Sequence, residues 1–388
     1  MRILASTPHA LWPDSSGGGR RTLSITIALA RLGHELTLLV PGGPTDAPEL
    51  PPGISHQPYR PAGRTGHFFN PQFSRALQQQ LEKGQDLVLT AYPYQAGALI
   101  RACERHGVPL VYDAHNCEAH RVPQLQGRMV GRLVNRLELR LTRAARAVIC
   151  VSRQDQQLFR EIHDVDSLLL PNGVDTTLFR PGPPETALLQ DLGLAGKRVA
   201  LFFGAFDYEP NRQALARLLS LPWPMRSAGL PDTHLLVVGR GSLACTPERP
   251  GVIATGAVDD IARYIRLATV VLAPLESGGG TRLKIIESLA CGQFVLGTPF
   301  GATGLAEQDI PGLYCCDWAD YHGELERLLS RDPGIGGNSG GAAWARTQEW
   351  TALVRSIPWV QFCAGHAPGP RPTHDHAERE QPLPRSPD

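Results

Sequence analysis

The residues best suited to chemistry in this 388-residue chain lie in the run Gly278-Gly279-Gly280-Thr281-Arg282-Leu283-Lys284-Ile285-Ile286-Glu287. Glycines let a backbone approach a bulky anion, and the unpaired N–H groups that open the following helix attract one. Arg282 and Lys284 add full positive charges to that partial one. Glu287, one helical turn further on, can accept hydrogen bonds from paired sugar hydroxyls. The order suits a phosphate with a ribose beyond it. The alternative is a tight strand-to-helix turn, with Lys284 and Glu287 as an ordinary exposed helical pair.

A second run, Gly17-Gly18-Gly19-Arg20-Arg21, is expected to form a loop after the first strand and before a helix. Its glycines lack the spacing of the dinucleotide fingerprint, and no acidic residue near the end of 35–40 is placed for a ribose, so nicotinamide chemistry is not expected. His115 follows a predicted strand over 108–112 and should project into a cleft. There it can hydrogen-bond ligand hydroxyls or stabilise developing charge. Alternatively it is a turn histidine bonded to Asp113 or Asn116.

These groups need elements to hold them. Apolar runs at 2–6, 35–40, 86–90, 108–112, 147–151 and 167–170 predict strands, alternating with helical spacing over 22–32, 74–81, 94–106 and 128–145. The second half repeats the rhythm, with strands expected at 198–204, 234–239, 251–255, 269–273, 294–297 and 313–316. The expected class is α/β: two doubly wound, Rossmann-like parallel-sheet domains facing across a cleft, with ligands at the carboxyl ends of the strands. Prolines and a glycine in Phe179-Arg180-Pro181-Gly182-Pro183-Pro184 place a linker at 181–184, between domains spanning 1–180 and 185–341. A helix over 342–360 is positioned to pack back on the first domain, and a polar, proline-rich tail over 365–388 is expected to be disordered.

Composition excludes several classes. With 38 Lys plus Arg against 37 Asp plus Glu, wholesale nucleic-acid binding is not expected. The first 180 residues hold 20 basic and 15 acidic side chains, leaving 18 and 22 to the remainder. Eight cysteines without a Cys-x-x-Cys pair suggest neither a zinc ribbon nor a disulfide framework, and a reducing cytoplasm is the expected compartment. The amino terminus lacks signal-peptide character, and no apolar run reaches the roughly 20 residues needed to span a bilayer. One feature does point to a membrane surface. Arg128, Arg132, Arg136, Arg140 and Arg143 form a stripe on a predicted helix whose other side carries Met129, Leu133, Leu137 and Leu141. Such a stripe suits peripheral contact with anionic headgroups on the inner face of the membrane, or is simply a solvated basic face.

The run from Gly278 to Ala290 with Cys291-Gly292, together with Pro171-Asn172-Gly173-Val174-Asp175, resembles the retaining GT-B glycosyltransferases of family four. The likeness extends through Asp113-Ala114-His115-Asn116, Cys150-Val151-Ser152, Phe203-Gly204 with Pro210-Asn211, and Val237-Val238-Gly239, in order over roughly residues 1 to 330. It implies transfer of a sugar from a nucleotide-diphosphate donor to a saccharide or lipid-linked acceptor hydroxyl, with retained anomeric configuration and without a metal or other cofactor. It implies donor binding around Gly204, Asn211, Gly278, Gly279, Gly280, Thr281 and Arg282, and roles for His115, Lys284 and Glu287 in catalysis, with Glu287 on the ribose. An acceptor-side loop would hold Gly17, Gly18, Gly19 and Arg20. The family places two glutamates eight positions apart, and here Gly279 occupies the first position, with Glu276 nearby. Arg212 stands near the place of a basic pair found in relatives. A nucleotide-sugar epimerase or hydrolase of the same architecture, and a non-catalytic nucleotide-sugar-binding protein, remain alternative readings.

Overall fold

A computed structural model of the chain describes residues 1–12, 17–43, 48–61, 68–226, 231–277, 283–331 and 337–364. The first sheet comprises β1 (Arg2–Ser6), β2 (Glu35–Pro41), β3 (Ile54–Tyr59), β4 (Leu87–Ala91), β5 (Leu110–Ala114), β6 (Ala147–Cys150) and β7 (Leu168–Leu169). All pairings are parallel, in the order β3-β2-β1-β4-β5-β6-β7. Its helices are α1 (Gly17–Arg31), α2 (Pro71–Glu82), α3 (Ala96–His106), α4 (Glu118–Gln126), α5 (Arg128–Ala144) and α6 (Arg153–His163). The central strands read as unbroken apolar runs because helices cover both sheet faces.

The second sheet comprises β8 (Arg198–Phe203), β9 (Thr233–Val238), β10 (Val252–Ala254), β11 (Val270–Ala273), β12 (Phe294–Gly297) and β13 (Leu313–Cys315). These are again all parallel, in the order β10-β9-β8-β11-β12-β13. With it go α7 (Thr186–Asp191), α8 (Glu209–Leu219), α9 (Ser242–Cys245), α10 (Ile261–Ile265), α11 (Leu283–Ala290) and α12 (Trp318–Leu329). In each sheet the strand order reverses beside the first strand, between β1 and β4 and between β8 and β11. The crevice at such a switch point is where open α/β sheets take ligands.

The chain then returns. α13 (Ser339–Thr347), α14 (Trp350–Arg355) and α15 (Trp359–Cys363) follow, and α14 packs on α1. Trp350, Val354, Ile357, Trp359 and Phe362 join Ile25 and Leu29 in one buried cluster. The single helix expected over 342–360 is therefore three. Its first break occurs because Val174 N–H donates to the Gln348 carbonyl (2.9 Å) and Trp350 N–H to the Val174 carbonyl (3.3 Å), diverting that backbone into a strand-like bridge. The Glu349 carboxylate then accepts from Ala352 N–H (2.9 Å) and starts a new helix. Pro358 flanks the second break.

Two other expectations are corrected. β3 is unexpected because Ile54-Ser55-His56-Gln57-Pro58-Tyr59 is largely polar and contains a proline, which an edge strand tolerates. Gly17, Gly18 and Gly19 are the first turn of α1 rather than a loop, and Thr22 Oγ1 donates back to the Gly18 carbonyl at 3.2 Å.

Candidate active site

The first wall of the site is built at the carboxyl ends of β4 and β5. Asp113 is the penultimate residue of buried β5, and three contacts tie it to Arg21 of α1: Nε to Oδ1 (3.2 Å) and Oδ2 (3.1 Å), and Nη2 to Oδ1 (2.6 Å). Arg21 is fully buried. Its Nη1 donates to Asn172 Oδ1 (3.0 Å), and its guanidinium lies over the Trp350 ring at 5.8 Å. One arginine thus joins α1, β5, the Pro171-Asn172-Gly173 turn and the returning α14. Burial alone would raise the Asp113 pKa, but Arg21 and His115 more than reverse this and hold it well below the usual carboxylate range.

His115 is 4 % exposed, and its Nε2 bonds Asp113 Oδ2 at 3.0 Å. A carboxylate only accepts, so Nε2 carries the proton, and in the neutral ring Nδ1 is an acceptor. Nδ1 is buried without a hydrogen-bond partner among the described residues. The turn-histidine geometry and an open acceptor therefore coexist in one ring. Tyr92, at φ +70°, packs edge-on against this ring at 5.0 Å. A methyl at Gly18 would lie 2.1 Å from Tyr92 Oη and 2.8 Å from His115 Nδ1, so only glycine lets α1 start there.

The second wall belongs to α11 and β8. Lys284 Nζ donates to the Phe203 carbonyl (3.0 Å) and to Asn211 Oδ1 (3.4 Å), and sits 4.9 Å from the Phe202 ring centre. Asn211 Nδ2 donates to the Ala205 carbonyl at 2.8 Å, and Gly204 passes directly beneath the Asn211 side chain. Lys284, Asn211 and Gly204 are thus brought together at the end of β8. Glu287 is 3 % exposed. Its Oε1 accepts from Arg20 Nη2, whereas Oε2 is buried without a partner among the described residues. Burial raises its pKa, with Arg20 and Lys284 acting in the opposite direction.

The first turn of α1 therefore connects both walls, since Gly18 abuts His115, Arg20 reaches Glu287 and Arg21 holds Asp113. Gly278, Gly279, Gly280, Thr281 and Arg282 lie outside the described residues. Glu276 pairs with Arg217 at 2.8 Å on the surface, and Arg212 binds the carbonyls of Phe206 and Asp207 and pairs with Glu209. Two further residues matter here: Arg21, named in the sequence only as part of an expected loop, and Tyr92, which the sequence left unmarked. Arg21 has a readable signal, because it shares a helix face with Ile25 and Leu29 by four-residue spacing. Tyr92 has none, since its backbone conformation is set by tertiary packing.

A model described as Glycosyltransferase Family 4 matches residues 15–178, and one described as Glycosyl transferases group 1 matches residues 197–331. The chain belongs to the family-four glycosyltransferases. It is 28 % identical over 343 residues to the phosphatidyl-myo-inositol mannosyltransferase of Mycolicibacterium smegmatis, covering 82 % of each chain. It is 28 % identical over 369 residues to the D-inositol 3-phosphate glycosyltransferase of Nocardiopsis dassonvillei, again covering 82 % of each. Among solved structures, sucrose-phosphate synthase of Thermosynechococcus elongatus superposes with a TM-score of 0.74 at 19 % identity, over 93 % of this chain and 98 % of that one. HepE of Anabaena, solved with UDP and glucose, gives 0.70 at 16 %, over 92 % and 98 %. These likenesses give the fold as GT-B. The matches favour glycosyl transfer over the epimerase, hydrolase and non-catalytic readings. Among the described residues, no helix of this family-four chain is long and apolar enough to cross a membrane.

Proposed function

We propose that this glycosyltransferase binds a nucleotide-diphosphate sugar between the two walls, with Glu287 on the ribose and His115 on the transferred sugar. One observation carries the reading. Two buried acceptors, Glu287 Oε2 and His115 Nδ1, stand unpartnered on the walls that α1 links, and a buried acceptor without a donor costs about 1–3 kcal/mol. A polyhydroxylated ligand supplies hydroxyl donors to both. Lys284, at the end of β8 beside Asn211, supports a place for the diphosphate, whose charge grows as the bond to the sugar breaks. Amides of the Gly278–Gly280 run would add to it, and Gly17, Gly18, Gly19 and Arg20 would border the acceptor. In this reading the protein's own cations and amides stabilise the leaving group without a metal ion, and family membership supports retention of anomeric configuration.

The acceptor hydroxyl belongs to a saccharide or a lipid-linked molecule, and α5 supports the lipid side. Its arginines at 128, 132, 136, 140 and 143 are exposed. Met129 (85 % exposed) and Leu133 (45 %) stand among them rather than on the opposite, buried face as expected. The face that packs carries Gly131, Val134, Glu138, Leu141 and Thr142, with Leu137 against the same core as expected, and Gly131 lets α5 close against Pro123. Exposed apolar side chains within a basic stripe match an anionic bilayer surface.

Thermal unfolding with UDP-, GDP- and ADP-sugars tests the donor assignment, since a ligand at 100 times its Kd stabilises by about 2.7 kcal/mol. At least one donor class should raise Tm. No shift with any of them would remove the donor site.

A further inference from the structure

We propose that Glu138 is a positioning residue that fixes the backbone exit of the His115 loop, acting as a distant cap for α4. Glu138 lies on the packed face of α5 and is completely buried. The spacing 131, 134, 138, 141 calls for an apolar side chain there, and a buried carboxylate is costly unless donors surround it. Here they do. Oε1 accepts from Tyr112 Oη (2.8 Å) and Glu118 N–H (3.0 Å). Oε2 accepts from Ala119 N–H (2.7 Å) and His163 Nε2 (3.1 Å), with Cys117 Sγ at 3.8 Å.

Two of these donors are the opening amides of α4, whose own N-cap residue, Cys117, makes no side-chain cap bond. Helix-opening amides need an acceptor, and a carboxylate also complements the positive end of the helix. The stretch that carries His115 is consequently held at both ends. Arg21 grips Asp113 where it begins, and Glu138 grips Glu118 and Ala119 where it ends. Tyr112 and His163 link the same carboxylate to β5 and α6.

The ligand atoms of Cys117, Glu138 and His163 lie within 4.8 Å of one another, an arrangement that also suggests a metal. Both Glu138 oxygens are already engaged by backbone amides, however, and a metal would have to displace them. Anchoring accounts for all the contacts without that loss.

The catalytic consequence rests on the assignment of His115 to the reacting sugar. The anchoring does not. Glu138→Gln is the discriminating variant, because an amide retains only one oxygen. In either orientation its NH₂ opposes a backbone N–H, at Glu118 or at Ala119. Hydrogen exchange of the ligand-free protein should show the Glu118 and Ala119 amides opening about tenfold faster or more, with the β8–β11 amides unchanged. Transfer kinetics should show kcat falling about tenfold at constant donor KM. In a His115→Ala background the same change should cost less than about twofold, since coupled residues are not additive. Tyr112→Phe removes one donor and touches neither amide, so it should leave their exchange within about twofold and shows whether the surrounding packing survives mutation. Unchanged exchange in Glu138→Gln would overturn the anchoring even if the enzyme is active. Accelerated exchange with kcat losses that multiply with His115→Ala would overturn the positioning role.

Discussion

Adjacent arginines on α1 grip opposite walls, and the two carboxylates they meet differ in a way that separates structure from function. Asp113 is saturated by Arg21 and His115, and its pKa is driven down despite burial. Glu287 is buried just as deeply, yet it holds one arginine on one oxygen, leaves the other without a partner, and has its pKa raised. Folding completes the first carboxylate and leaves the second to be completed. In this account the missing donors are ligand hydroxyls, so the Asp113 carboxylate is preassembled by the fold and the Glu287 carboxylate is finished by substrate.

The comparison can be broken most severely on the saturated side. Arg21→Ala leaves Asp113 buried with only the His115 hydrogen bond, and should cost about 3–5 kcal/mol of stability by chemical denaturation. A cost below about 1 kcal/mol would mean that the hub does not hold the walls. His115→Ala should lower kcat by about 10²–10³-fold with the affinity for nucleoside diphosphate little changed. An equal loss in product affinity would place His115 on the nucleotide instead.

Titration sharpens the contrast. A depressed pKa stabilises the fold above the ordinary value of 3.8 and loses that contribution as pH falls. Asp113→Asn should therefore be less stable than wild type at neutral pH, with the deficit shrinking in acid. A raised pKa works in reverse: the contribution is present below 4.5 and lost as pH rises. Glu287→Gln should be more stable than wild type at neutral pH, with its advantage shrinking in acid. Parallel profiles for the two variants would erase the distinction. The smallest effect is expected at the surface, where Arg132→Gln with Arg136→Gln should weaken binding to vesicles of anionic lipid by about 1 kcal/mol per arginine. Binding equal to wild type would leave α5 a solvated face.

Much of this was legible in the sequence, and what was missed has a common cause. The central strands announce themselves because both their faces are buried, and the glycine run with Lys284 and Glu287 stands out by residue type. β3 does not, because an edge strand needs few apolar residues. Gly17–Gly19 reads as a loop because local propensity disfavours a glycine helix, whereas the need for glycine at position 18 comes from Tyr92 and His115, just past the ends of β4 and β5. The return of the chain through α13 and α14 depends on Val174 drawing Gln348 and Glu349 out of helix, through a hydrogen bond to Gln348 across 174 residues of sequence. Glu138 left a mark that spacing could have found, an acid in an apolar helical register, but its meaning lies in donors from three other elements. On α5 the arginines were visible and Leu137 and Leu141 pack as expected, but Met129 and Leu133 were misassigned because they fit helical spacing as well as Val134 does.

The most direct test of the unfinished wall pairs a protein change with a ligand change. Calorimetry should compare the nucleoside diphosphate that binds wild type best, chosen from UDP, GDP and ADP, with its 2′,3′-dideoxy analogue, on wild type and on Glu287→Ala. If the ribose hydroxyls complete Glu287, removing them should weaken binding to wild type by about tenfold or more and leave the variant's weakened affinity nearly unchanged. Equal discrimination by both proteins would show that the carboxylate never meets the ribose.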